Sequence, residues 1–179
     1  GCTSLTDIHL PDSLVYTGNN AFGGCKNLKT VTFGENSKLK NIDYGAFMGC
    51  TSLDNINIPN TVELISMYAF KGCTSLTDIE IPNSVTEILN NAFFNCKALK
   101  SIEIPNGVTS IGDYTFYDCT SLTSVKIPSS VTSIGNYAFQ VCASLTSIEI
   151  PSSVTSIGEG AFYGCTSLTT SIEIPSSVT

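Results

Sequence analysis

Arginine and tryptophan are absent from this 179-residue chain, and histidine occurs once. Each absence removes a class of function. Without arginine there is no planar fork for phosphate or carboxylate groups. With a formal net charge of −7 there is no basic stripe for nucleic acid or for an anionic membrane surface. His9 is the one imidazole available to any Ser-His or Cys-His pair. It stands two residues from Asp7 on an expected strand, and reads as a solvated surface residue. No apolar run approaches the roughly 20 residues of a transmembrane helix, so no membrane insertion is expected in this segment. A glycine-rich phosphate loop is missing too. The chain is therefore expected to be no enzyme and to hold no cofactor and no metal.

What the chain does have is a beat. Cysteines stand at 2, 25, 50, 73, 96, 119, 142 and 165, every step being 23 residues except the 25 from Cys25 to Cys50. Pro59, Pro82, Pro105, Pro128 and Pro151 keep the same period, as do Phe47, Phe70, Phe93, Phe116, Phe139 and Phe162. Fixed-period self-similarity is the mark of a repeat architecture. The whole of residues 1–179 reads as one repeat domain of about seven to eight units, incomplete at both ends. Gly1 and Cys2 open in mid-repeat, so a longer parent chain and a targeting segment outside this one are expected.

Within a unit the period changes character. Leu145, Ile148 and Ile150 are apolar, and Ser147 and Glu149 alternate with the isoleucines, the two-residue period of a half-buried strand. Pro151 ends that strand because it has no N–H for a ladder. Val154 and Ile157 then face inward, a turn follows at Gly158, and residues 161–165 return the chain to the next leucine. That return is too short for a free helix, so one helical or 3-10 turn held by packing is expected. Each unit has too few apolar positions for a core of its own. Stacking at the spacing of neighbouring strands, for a height of roughly 34 Å, supplies one.

The run SLTSIEIPSSVTSIGEGAFYGC at residues 144–165 resembles the repeat of the BspA-like, or treponemal-type, leucine-rich-repeat proteins. The resemblance covers essentially the whole chain. It implies a right-handed β-rich solenoid with a parallel concave β-sheet. It also implies a place on surface or secreted proteins that attach to host matrix proteins or other cells. No binding residue carries over, because the motif is structural.

Candidate chemistry is therefore sought in residues the motif leaves free. The cysteines are expected to be buried free thiols: parallel stacked side chains are badly oriented for a disulfide, and zinc needs closely spaced pairs. The phenylalanines, Phe22 included, are expected to form a core spine. On the concave strand face the outward positions include His9, Asn55, Asn57, Asp78, Glu80, Glu103, Lys126, Ser147, Glu149 and Ser171. Glu80 beside Glu103 is a like-charge clash, which Lys126 relieves between Glu103 and Glu149. This face is read as a solvated acidic sheet, as a dock for a basic protein segment, or, more weakly, as a calcium site at Asp78, Glu80 and Glu103 for glycan binding. A second candidate is aromatic. Tyr68, Tyr114 and Tyr137 stand two residues before the phenylalanine column, and Phe94, Tyr117 and Tyr163 one after it. Either they form an exposed flank for a partner, or they pack on one another along the stack.

The pattern breaks in the second unit, where Gly34 replaces proline and two extra residues lie around 35–40, and again near Thr169 and Thr170. Local bulges are expected there. The functional expectation is a protein-binding or adhesion module on a cell-surface or secreted protein. The alternative is a spacer or filament built by end-to-end self-association.

Overall fold

The computed structural model describes residues 1–169 and 172–179; Ser171 and Thr170 lie outside the described residues. The chain winds into a solenoid in which every strand pairing is parallel. Two kinds of strand alternate. The first kind carries the expected in–out alternation and comprises β1 (Asp7–Leu10), β2 (Thr30–Phe33), β4 (Asn55–Asn57), β6 (Asp78–Glu80), β8 (Ser101–Glu103) and β10 (Ser124–Lys126). The second kind is only two residues long: β3 (Asn41–Ile42), β5 (Leu64–Ile65), β7 (Glu87–Ile88), β9 (Ser110–Ile111), β11 (Ser133–Ile134) and β12 (Ser156–Ile157). This second row was not expected from the sequence, because two residues are too few to show a period.

The concave sheet is segmented. β1 pairs with β2, β4 with β6 and β8 with β10, while the second row forms β3–β5–β7 and β9–β11–β12. The unit read most clearly in the sequence, residues 145–151, has no assigned strand at all. Its alternation survives: Leu145 and Ile150 are buried, and Ser147 and Glu149 are exposed. Packing holds those side chains in their places, with the Thr146 amide donating to the Thr123 carbonyl of the preceding unit at 3.4 Å.

The expected helical or 3-10 return is corrected by the structure, which has no helix among the described residues. The reason lies in the backbone amides. In the return of the second unit, Ala46, Met48 and Cys50 donate to carbonyls three residues back, Asp43, Gly45 and Phe47, at 3.0–3.1 Å. The intervening amides of Gly45, Phe47 and Gly49 instead donate to Met67, Ala69 and Lys71 of the following unit, at 2.7–3.0 Å. A helix needs every amide locally; here every second one serves the stack. The geometry requires a left-handed residue at two places four apart, such as Gly45 (φ 59) and Gly49 (φ 71), or Asn91 (φ 61) and Asn95 (φ 60). Such residues stop a helix.

Side chains repeat this stitching. The Cys73, Cys96, Cys119 and Cys142 thiols donate to the carbonyls of Phe47, Phe70, Phe93 and Phe116 in the preceding unit, at 3.2–3.3 Å. Ser84, Ser130 and Ser153 donate to the carbonyls of Val62, Val108 and Val131, at 2.6–2.7 Å. Thr132 and Thr155 do likewise to Thr109 and Thr132. Even the glycine of the turn is fixed by the neighbouring unit. A Cβ on Gly158 would come within 2.4 Å of the Asn136 nitrogen, and one on Gly135 within 2.6 Å of that of Asp113.

Inside this mesh runs one continuous core. Its spine is the phenylalanine column, Phe22 to Phe162, whose successive rings stack with centroids 5.3–5.6 Å apart. Each such pair contributes about 0.5–1.5 kcal/mol beyond area burial. The insertion in the second unit is absorbed as a bulge. Asp12 accepts the Asn36 amide on its carboxylate and the Lys38 amide on its backbone carbonyl, both at 3.0 Å, and Leu39 stays buried in its column. The one casualty is Thr61, whose hydroxyl, at the place of the stitching serines, has no partner among the described residues.

Two outcomes follow. Val141 (φ 62) is a β-branched residue where other units carry glycine, as at Gly49, Gly72 and Gly164, or Asn95 and Asp118, a conformation that costs about 1–2 kcal/mol. Val141→Gly is expected to raise unfolding stability by about 1 kcal/mol in urea titration, and a loss of stability would contradict the strain. The thiols supply the second. Burial pushes Cys50 and Cys119 up to about 12, from an ordinary value of 9.0, and Cys73 and Cys96 well above it. The folded state thus keeps protons that the unfolded state releases, so this stability is complete below about pH 9 and is lost as pH rises toward 12. Urea midpoints should hold steady to about pH 8.5 and then fall. The fall should be shallower in a Cys73→Ser/Cys96→Ser variant, and equal slopes would contradict the assignment.

Candidate functional site

The two candidate faces differ in what holds their side chains. On the concave face the first strands turn their outward residues to solvent, as two-residue alternation requires. His9, Asn55, Asn57, Asp78, Glu80, Glu103, Lys126 and Glu149 are all exposed. Three of these have partners. His9 Nδ1 lies 3.0 Å from Thr32 Oγ1 on the adjacent strand, and Lys126 Nζ pairs with the Glu103 carboxylate. Both contacts are exposed, and surface ion pairs contribute little. The side chains of Asn55, Asn57, Asp78, Glu80 and Glu149 have no hydrogen bond or ion pair among the described residues. Asp7, beside His9 in sequence, is held below the usual carboxylate range by the Thr6 hydroxyl, then by Thr30, with Lys29 adding to it.

The segmentation of the sheet shapes this face. A groove of about 490 Å³ crosses β4, β6 and β8, lined by Asn55, Asn57, Asp78, Glu80, Asn83, Ser101 and Glu103. A second, of about 480 Å³, lies between β2 and β4 and reaches the bulge at Glu35 and Ser37. The two share Asn57. They fall where neighbouring first strands are not hydrogen-bonded, β2 to β4 and β6 to β8. Glu80 and Glu103 line the groove from the two sides of the latter gap.

The calcium reading is not supported by this geometry. Among the described residues no group of three His, Cys, Asp or Glu side chains is placed to hold a metal ion. Residues two apart on a strand stand about 6.6 Å apart, whereas calcium oxygens converge to about 2.3–2.6 Å from the ion. Asp78 and Glu80 share a face without converging.

The aromatic candidates are partly exposed and also packed on one another. Tyr114 and Tyr137 stack at 5.1 Å, Phe94 and Tyr117 at 4.6 Å, and Tyr114 meets Tyr117 at 5.8 Å. A β-turn, not a helix, brings residues three apart together, since the Tyr117 amide donates to the Tyr114 carbonyl. Two members were missed in the sequence. Tyr44 meets Tyr68 edge-on at 5.3 Å, but sits one residue off the column. Lys71 lies over both Tyr68 and Phe94; it has the three-residue offset from Tyr68, but a search for rings passes over a cation. Tyr163 stands apart, 71% exposed, with no ring partner among the described residues. The Tyr137 hydroxyl donates to Glu159 at 2.5 Å, and that bond, with burial and the Glu159 charge, raises its pKa.

Residues 1–119 and 88–179 match the family described as BspA type leucine rich repeat region, 6 copies. No curated protein matches the chain. Among solved structures, a leucine-rich repeat protein of T. pallidum is similar at 34% identity and a TM-score of 0.76, over 81% of this chain and 67% of that one. A leucine-rich repeat protein from Bacteroides ovatus is similar at 29% identity and a TM-score of 0.71, over 92% of this chain and 48% of that one. The chain thus spans about two thirds of the first and about half of the second.

If Glu80 is placed for something other than stability, reversing it should help the fold. Glu80→Lys is expected to stabilise by about 0.5 kcal/mol, within the range of cross-strand charge pairs, and less so in high salt. Thermal melts at two ionic strengths check this, and destabilisation would show that Glu80 has a structural partner.

Proposed function

The chain belongs to the BspA-type leucine-rich-repeat family, and we propose that it works as a non-enzymatic protein-binding module on a cell-surface or secreted protein, contacting its partner through the concave strand face. The observation that carries this reading is the contrast between stitched and free polar side chains. The cysteines, serines and threonines of the motif spend their side-chain donors on the preceding unit. The variable strand residues Asn55, Asn57, Asp78 and Glu80 line a groove, and their side chains bond to nothing among the described residues. A spacer would need only the stitching, and that reading leaves the variable residues and the Glu80–Glu103 juxtaposition without a purpose.

The partner chemistry follows from charge. Asp78, Glu80 and Glu103 against Lys126 make the face acidic, and the chain as a whole carries −7. A basic segment of a host matrix or cell-surface protein fits such a face, with steering that fades with salt. No helix among the described residues is long and apolar enough to cross a membrane.

Immobilised matrix proteins, probed with this chain at low and high salt, test the reading. At least one is expected to bind, more weakly at high salt, with Glu80→Lys/Glu103→Lys losing at least tenfold in affinity while folding as well as the parent. Binding that ignores this double reversal would remove the concave face from the account.

A further inference from the structure

The convex flank holds a feature that stacking does not require. Tyr68, Tyr114 and Tyr137 have φ of 60, 56 and 56, in the left-handed region, at the place where other units carry Asn20, Gly45, Asn91 or Gly160. That backbone costs a residue with a Cβ about 1–2 kcal/mol, and tyrosine lacks the short polar side chain that lets asparagine adopt it. Bulky rings are therefore kept at variable positions where the backbone favours glycine or asparagine. An observed strain of this kind points toward function.

The N-terminal part of the flank shows what such rings do. Lys71 Nζ lies 5.0 Å from the Tyr68 ring centroid and 4.9 Å from that of Phe94. The chain fills one of its own aromatic slots with a cation. The C-terminal part has the rings and the anions without the cation. Tyr137 stacks on Tyr114, Tyr114 meets Tyr117, and the Tyr137 hydroxyl is tied to the Glu159 carboxylate. Asp113 accepts the Asn136 amide at 2.7 Å, one residue from Tyr137. Gln140 stands three residues after Tyr137, where Lys71 follows Tyr68. Lys97 is already paired with Asp118 at 3.3 Å.

We infer that Tyr114, Tyr117 and Tyr137, with Glu159 and Asp113, form a second recognition surface that takes an arginine side chain of a protein partner. Arginine suits it better than lysine, because a planar guanidinium stacks on rings and forks toward carboxylates at once. A protein suits it better than a small cation. Stacked tyrosines flanked by Asn90, Asn136 and Gly160 have the mix of rigid rings and small polar residues found in protein-binding paratopes. This surface is separate from the concave face, and one does not need the other.

The test is a titration of the whole chain with a Gly/Ser-rich dodecapeptide carrying two arginines, and with its citrulline twin, followed by amide chemical shifts. The arginine peptide should shift the signals of residues 113–117 and 136–140 and bind at least tenfold more tightly than the citrulline peptide. Tyr114→Asn/Tyr137→Asn, which installs the residue already used at Asn91, should melt no lower than the parent and lose at least tenfold in affinity. Lys71→Ser should open the Tyr68–Phe94 slot and add binding there. Equal binding of the two peptides, shifts confined to the concave face, or a Tyr→Asn variant that melts well below the parent would each overturn the inference. So would a Lys71→Ser variant with no gain. Glu80→Lys/Glu103→Lys should leave these peptide-induced shifts unchanged, which keeps this result apart from that of the concave face.

Discussion

Every second amide of the convex return points along the stack instead of back into its own turn. Most other features follow from that direction. An amide aimed at the next unit cannot close a helical turn, so the return is a chain of β-turns. Those turns need left-handed residues four apart, which explains the pairs Gly45/Gly49, Asn91/Asn95 and Gly160/Gly164. The same turns present the phenylalanine carbonyl to two donors: the cysteine amide three residues on, and the cysteine thiol of the next unit, as at Phe47 with Cys50 and Cys73. Cysteine repeats here because a small, apolar side chain with one weak donor fits that site. The thiol works protonated, and burial keeps it so.

A fold stitched this thoroughly separates its residues into two populations. Motif residues satisfy one another across units, and changing them changes stability. The variable residues of the strand face add little to stability, and in the convex flank ring stacking works against the left-handed backbone. Glu80 against Glu103 and the left-handed tyrosines even detract from stability. Natural proteins retain such costs at functional sites. The division also explains why membership in the family is silent about the partner: what identifies the family is the part that holds the stack together.

Much of this was legible in the sequence, for a physical reason. Columns of Leu, Ile, Val, Phe and Cys are imposed by stacking, so their period names the architecture, and strand alternation places Asn55, Asp78, Glu80 and Glu103 outside. What stayed hidden depends on backbone direction. Residues 161–165 read as a single helical or 3-10 turn because the return is so short, and nothing in their side chains reveals where their amides point. The two-residue strands such as Ser133–Ile134 are too short to show a period. The gaps in the concave sheet fall between strands that repeat the same alternation, so that pattern does not mark them. The convergence of Asp78, Glu80 and Glu103 on an ion was a matter of distance, and the rise along β6 separates Asp78 from Glu80. In the aromatic flank the offsets were visible, but the cation at Lys71 and the strain at Tyr68, Tyr114 and Tyr137 needed coordinates.

The amide direction is the claim on which the rest stands, and it can be read by scalar coupling through the hydrogen bond. In labelled protein, the Phe70 and Phe93 amide nitrogens should couple to the carbonyl carbons of Ala92 and Thr115, whose oxygens they reach at 2.8 and 3.0 Å. Coupling instead to carbonyls four residues earlier in their own unit would mean a helical return and would contradict the account.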